Sequence, residues 1–182
     1  ISDPASWRVA PWYTMADTIT KVVVEEGVEY VGDWAFGRLP EVTEIVYAST
    51  VNRIDMTSNY ACPKLEKFTV AEGNGTYSVS DGGKVLIENG SLVRSAVKSI
   101  TSYKAGDEIR TIGMGAFDSS ALEELDLNQV TAIQNYAFAD CQNLKTVVIP
   151  EGVETIEMTV FQNSGLESIT IPTSVTKVRN YA

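Results

Sequence analysis

The sequence predicts a β-rich solenoid, a stack of about seven short coils wound around one shared core. Three observations predict it. An apolar pattern recurs every 22 or 23 residues, a second apolar pair follows each recurrence, and a phenylalanine closes most of the units.

The first pattern, L-x-x-[apolar]-x-[apolar], stands at Ile19/Val22/Val24, Val42/Ile45/Tyr47, Leu65/Phe68/Val70, Leu122/Leu125/Leu127, Leu144/Val147/Ile149 and Leu166/Ile169/Ile171. Its first positions are 23, 23, 57, 22 and 22 residues apart, and the long interval holds one irregular unit plus an insertion. Alternation over so few residues marks strands too short to bury a face alone. Stacked in parallel at ~4.8 Å per rung, they make one core.

The second pair reads Val28/Val31, Val51/Ile54, Ile109/Ile112, Val130/Ile133, Val153/Ile156 and Val175/Val178. Links such as "EEGV", "PEGV" and "PTSV" supply Gly and Pro for the turn between the two strands. Five residues after the second member comes Phe36, Phe117, Phe138 or Phe161, with Ala35, Ala116 or Ala137 beside three of them. In the second unit the aromatic is Tyr60, displaced by one. The fourth unit shows no clear first strand, and the seventh lacks its Phe.

This organises residues 1–182 as a single domain. Residues 1–17 form a lead-in whose Trp7 and Trp12 cap the first rung. Repeats 1–3 span 18–72, an insertion spans 73–103, and repeats 4–7 span 104–182 with the last incomplete. In the insertion, "SDGGK" and "ENGS" are tight-turn signals that predict a hairpin or meander laid against the stack. Asn-Gly-Thr at 74–76 and Asn-Gly-Ser at 89–91 have the form of glycosylation sequons, but turns account for them better. The chain starts on Ile1 and stops on "VRNYA", just short of the Phe that follows "NYA" at Phe138. A piece of a larger protein, with any signal peptide or upstream domain already gone, is therefore expected, or else a last rung covered by a partner or a neighbouring molecule.

Composition excludes several functions. The 24 acidic against 14 basic residues give a net charge of −10, which repels phosphate backbones and makes nucleic acid a poor partner. No apolar run approaches the ~18–20 residues that span a bilayer, so no membrane insertion is expected. Histidine is absent, which removes Ser–His and Cys–His catalysis and the commonest zinc ligand. Cys62 and Cys141 share one phase of the coil about three rungs apart, ~14 Å, beyond the ~7 Å Cα limit for a disulfide. They read as buried free thiols. "GMGAF" (113–117) and "GGK" (82–84) lack the remaining residues of nucleotide loops and read as turns. No catalytic residue, cofactor or metal is expected.

"ITKVVVEEGVEYVGDWAF", "VTAIQNYAFADCQNLKTVVIPEGVETI" and "LESITIPTSVTKV" resemble the BspA-like leucine-rich repeats of bacterial surface proteins, over nearly the whole chain. "APWY" (10–13) and the "Y-x-V-x-D-G-G" core of the insertion also resemble that family, while Tyr60, the fourth unit and "EMTVF" depart from it. The resemblance implies a right-handed β/α-type leucine-rich-repeat superhelix on a secreted or cell-surface protein, with links to adhesion and no catalytic motif.

Residues flanking the central apolar position of each first strand point away from the core. One outward column reads Lys21, Glu44, Lys67, Glu124, Thr146, Ser168; the other reads Val23, Val46, Thr69, Asp126, Val148, Thr170. The plain reading of Lys21–Glu44–Lys67 is a cross-strand charge ladder. The functional reading is a concave recognition face for a host or bacterial surface protein or a glycan. Trp34, Tyr136 and Tyr181 share another phase, two before the Phe position, which reads as packing along a ridge. Two further readings are a structural spacer and, third, a carboxylate-pair glycosidase, against which the carboxylates read as a solvated face.

Overall fold

The computed structural model describes residues 12–182. The expected capping role of Trp7 lies outside these residues. Coil 1 carries β1 (Lys21–Val24) and β2 (Tyr30–Val31), and coil 2 carries β3 (Glu44–Tyr47) and β4 (Arg53–Ile54). Coil 3 starts with β5 (Lys67–Val70) and continues into β6 (Tyr77–Ser80), β7 (Val85–Glu88) and β8 (Leu92–Ala96). Coils 4 and 5 carry β9 (Ser102–Lys104), β10 (Thr111–Ile112), β11 (Glu124–Asp126) and β12 (Ala132–Ile133). Coils 6 and 7 carry β13 (Thr146–Val148), β14 (Thr155–Ile156), β15 (Ser168–Thr170) and β16 (Lys177–Val178).

First strands pair in parallel with first strands, in the order β1-β3-β5, then β9-β11, then β13-β15. Second strands do the same, with β8 of the insertion pairing in parallel with β10. The chain is thus a solenoid of seven turns, with no α-helix among the described residues. A 3-10 turn, Tyr13–Thr18, precedes coil 1, and Trp12 packs 6.5 Å from Phe36. Trp12 therefore does meet the first rung.

The repeat letters of coils 2 to 6 map onto the core, whereas Val28 of coil 1 and Ile169, Ile171 and Val178 of coil 7 are exposed. Ile45, Leu65, Leu122, Leu144 and Val147 are buried, as are Val51, Ile54, Ile109, Ile112, Val130, Ile133, Val153 and Ile156. Phe117, Phe138 and Phe161 stack on consecutive coils, with centroids 5.5 and 5.6 Å apart and planes within 16° and 9° of parallel. Between the strands, Gly27, Gly73 and Gly152 take φ of 96°, 86° and 105°, values at which a Cβ is strained. In coil 5 the position falls to Asn128 (φ 46°), whose side-chain amide donates to the Ala105 carbonyl.

Cys62 and Cys141 are both free and buried. Each thiol donates to the carbonyl of the closing Phe in the preceding coil, Phe36 and Phe117, at 3.1 Å. Burial pushes both thiol pKa values up, so the cysteines are packing groups with a fixed partner.

The fold corrects two readings of the repeat. Tyr60 is no core wedge: it is 51% exposed and sits edge-on to Trp34 at 5.1 Å. The interior there is filled from other phases, by the buried rings of Tyr47, Phe68 and Tyr77. The fourth coil does have a first strand, β9, in register with β11. Its apolar set is Ile100, Tyr103 and Ala105, all buried, with Tyr103 packed 4.9 Å from Phe117.

The Tyr47 hydroxyl is buried without a hydrogen-bond partner among the described residues. Burial pushes its pKa up, and the nearby Ser58 hydroxyl opposes this only in part. With the buried Ser58 hydroxyl as its polar neighbour, Tyr47→Phe is expected to change stability by less than about 1 kcal/mol. Urea denaturation checks it, and a larger loss of stability would mean that the hydroxyl is satisfied in solution.

The insertion is an antiparallel meander, β6-β7-β8. Asn89 and Gly90 turn β7 into β8 with φ of 50° and 65°, the left-handed pair that a tight hairpin favours. Asn74 is held inside the turn. Its amide donates to Ala48 and Val51 carbonyls, and its Oδ1 accepts from the N–H groups of Thr76 and Tyr77.

Candidate functional site

The predicted outward columns form, but in blocks. In β1-β3-β5, Lys21 pairs with Glu44 and Glu44 with Lys67; beside them Val23, Val46 and Thr69 form the second row. The Lys21 ammonium lies 2.8 Å from one Glu44 oxygen, and Lys67 lies 3.7 Å from the other. Thr69 donates to the same carboxylate at 2.7 Å. The Lys21 contact first, then the Thr69 bond, hold the Glu44 carboxyl at a pKa of about 2.

A folded pKa below the unfolded one means that the gain exists where Glu44 is ionised and fades as acid protonates it. The stability difference between the wild-type chain and Glu44→Gln is therefore expected to be greatest near neutral pH. It should close as the pH falls from about 4.5 toward about 2. With both lysines about half exposed, the difference is about 1 kcal/mol at most. Urea titrations across that range measure it.

A second block joins β9 and β11, where Ser102 faces Glu124 and Lys104 lies 3.3 Å from Asp126. A third joins β13 and β15, where Thr146 faces Ser168 and the exposed Val148 faces Thr170. The first block is separated from the second by the turn Asp81–Gly83, which comes down on β5. Gly83 (φ 93°) sits so close that a Cβ would come 2.7 Å from the Phe68 carbonyl oxygen. Glu124, Asp126, Val148 and Thr170 are thus cut off from Lys21, Glu44 and Lys67. Repeat spacing does not encode that contact.

The ridge phase has a backbone explanation. Trp34, Tyr136, Thr159 and Tyr181 all have φ between 56° and 61°, like Gly115 at the same position (φ 62°). In these five coils the position holds left-handed backbone and lets the side chain project, whereas Thr57, its counterpart in coil 2, is not left-handed. Tyr136 is 45% exposed, whereas Trp34 packs on Tyr60 beneath the Arg38 guanidinium.

A cleft of about 350 Å³ opens on this ridge side, beside β8. Met56, Tyr60, Met114 and Tyr136 stand around it, and Ser95 and Lys98 lie in it. The Lys98 ammonium donates to the Asp118 carbonyl oxygen and lies 3.7 Å from the Asp118 carboxylate. Burial lowers its pKa, and Asp118 opposes that shift. Asp118 and Asp140 are the two carboxylates of the cleft. The one sequence signal for this cleft is the missing aromatic between Tyr60 and Phe117. Among the described residues, no three Cys, Asp or Glu side chains gather as a metal site. No described helix is long and apolar enough to cross a membrane.

Known proteins resemble this chain in sequence pattern and in fold. A crystal structure of the pneumococcal vaccine antigen PcpA superposes with a TM-score of 0.73 at 20% identity, covering 88% of this chain and 47% of that one. A leucine-rich cell surface protein from Faecalibacterium prausnitzii gives a TM-score of 0.60 at 22% identity, covering 90% of this chain and 60% of that one. A leucine-rich repeat protein from Bacteroides ovatus gives 0.58 at 25% identity, covering 89% and 42%. The chain therefore spans about half the length of these solved relatives. No curated protein matches it. The family model for the BspA type leucine rich repeat region matches six copies, over residues 12–80 and 90–182. With most of its length under that pattern and its coils stacked as seven parallel rungs, this chain belongs to the BspA-type leucine-rich repeat family.

Proposed function

We propose that the chain is a non-enzymatic binding module of an extracellular or cell-surface bacterial protein, recognising a protein or glycan through its concave strand face or its insertion. The observation that carries this reading is the outward face of the first strands. There Val23 and Val148 are 54% and 66% exposed, among ion-paired and hydroxyl side chains. Exposed apolar groups within a polar surround are what a recognition surface offers. Membership of a repeat family with cell-surface relatives supports it. The block containing Lys21, Glu44, Val46, Lys67 and Thr69 is the part we assign to recognition first, because its three rungs are continuous.

Binding screens against matrix proteins and glycans test the proposal, with Lys67→Glu and Val46→Asp as probes. Both variants are expected to weaken capture of the selected ligand at least about tenfold, the size of a central interface contact. Unchanged capture in both would discard the strand face as the site.

A further inference from the structure

The ridge of the solenoid is broken once. Coils 1, 2, 4, 5 and 6 each raise a six-residue turn, at 33–38, 56–61, 114–119, 135–140 and 158–163. Coil 3 runs through Leu92–Ala96 as β8 and raises none. Adjoining ridges are bonded through backbone, at three alternate residues between coils 1 and 2 and between coils 4 and 5, and at two, Phe138 and Asp140, between coils 5 and 6. The N–H groups of Trp34, Phe36 and Arg38 donate to the carbonyls of Thr57, Ser58 and Tyr60 at 3.2, 2.7 and 2.8 Å. Those of Gly115, Phe117 and Ser119 donate to Asn135, Ala137 and Ala139 at 3.1, 2.9 and 2.8 Å.

On coil 2 the same row is formed by the N–H groups of Thr57, Asn59 and Ala61. They stand where coil 3's turn would be, and none meets an acceptor among the described residues. The opposite wall is largely satisfied. The Ala116 carbonyl accepts from Ala96 N–H at 2.8 Å, and the Asp118 carbonyl accepts from the Lys98 ammonium in place of a backbone donor.

The walls are two rungs apart, about 10 Å, which leaves room for one polypeptide strand. Met56, Tyr60 and Tyr136 are each about half exposed around the gap, so apolar contact is available beside the donors. Lys98 neutralises Asp118, which leaves Asp140 as the uncompensated charge of the cleft.

We propose that this gap is a peptide-binding slot, in which an extended segment of a partner polypeptide carrying a basic residue takes the place of the missing rung. Its alternate carbonyls accept from Thr57, Asn59 and Ala61, its apolar side chains lie on Met56 and Tyr60, and its basic side chain meets Asp140. A peptide backbone presents acceptors at every second residue on one side, as strand addition to an open edge requires. A sugar chain has no such regular row. This slot lies away from the strand face, so either can fail without the other.

Amide hydrogen exchange of the whole chain, followed by NMR, is the first test. The Asn59 amide is expected to exchange at least about tenfold faster than those of Phe36, Phe117 and Phe138, which are bonded. Equal protection in the free protein would mean the row is already satisfied, and the proposal fails. The second test uses a library of blocked hexapeptides, with and without arginine, beside an oligosaccharide array. Enriched peptides should slow exchange at Thr57, Asn59 and Ala61. Ser95→Trp, which fills the floor, and Tyr60→Ala, at an exposed position that spares the fold, should each weaken binding about tenfold. Asp140→Asn should cost arginine peptides about fivefold and leave the others unchanged. Absence of any enriched peptide, binding that leaves the three amides unaltered, or capture of oligosaccharides alone overturns the slot.

Discussion

Phe138→Ala is expected to be the most damaging single core truncation, costing about 3–5 kcal/mol. Phe138 is fully buried, and its ring lies between Phe117 and Phe161 at stacking distance on both sides. Its removal therefore leaves two facing rings without a partner and a void that flanking Ala116 and Ala137 are too small to fill. Coil-to-coil coupling is nearest-neighbour, so the effect should also change the form of unfolding. Urea denaturation of the wild-type chain should follow one transition, and that of the variant should split, with coils 6 and 7 released first. A single transition displaced by less than about 1 kcal/mol would show that the stack closes around the void.

Gly83→Ala follows, with an expected cost of about 2–4 kcal/mol from two sources that add. The residue has φ 93°, and its added Cβ would meet the Phe68 carbonyl oxygen at 2.7 Å and the Lys67 Cγ at 2.9 Å. Gly82 is the internal comparison. It also has positive φ (67°), yet nothing lies within 4 Å of its Cβ position. Gly82→Ala should cost only the left-handed backbone term, about 1 kcal/mol. The difference between the two variants measures how closely the insertion is seated on β5. Equal losses would mean that the turn lifts away from the strand at little expense.

The coils were legible in the sequence because each rung repeats the same burial problem, so Leu144, Val147 and Ile149 echo Leu122, Leu125 and Leu127. Where a rung solves that problem with other residues, the echo is lost. Ile100, Tyr103 and Ala105 build a strand without the aliphatic signature. Tyr47 and Tyr77 fill the space beside coil 2, so Tyr60 is free to leave it. Gly83 meeting Phe68, and the unmatched N–H row of Thr57, Asn59 and Ala61, are products of three-dimensional neighbourhood. No spacing along the chain announces them. The outward columns were legible as positions and as a charge ladder, but their division into blocks was not.

The coil-to-coil bonding also has a mechanical meaning. A tether pulled along its length loads these coils in series, and each is held only by the ones on either side. Release under tension would proceed in steps of one coil, each freeing about 75 Å of contour for 22 residues. The broader meander of coil 3, tied to β10 through β8 and seated on β5, would then act as a brake partway along. Such a molecule yields gradually, dissipating work at each step, where a compact domain of equal size would give way at once.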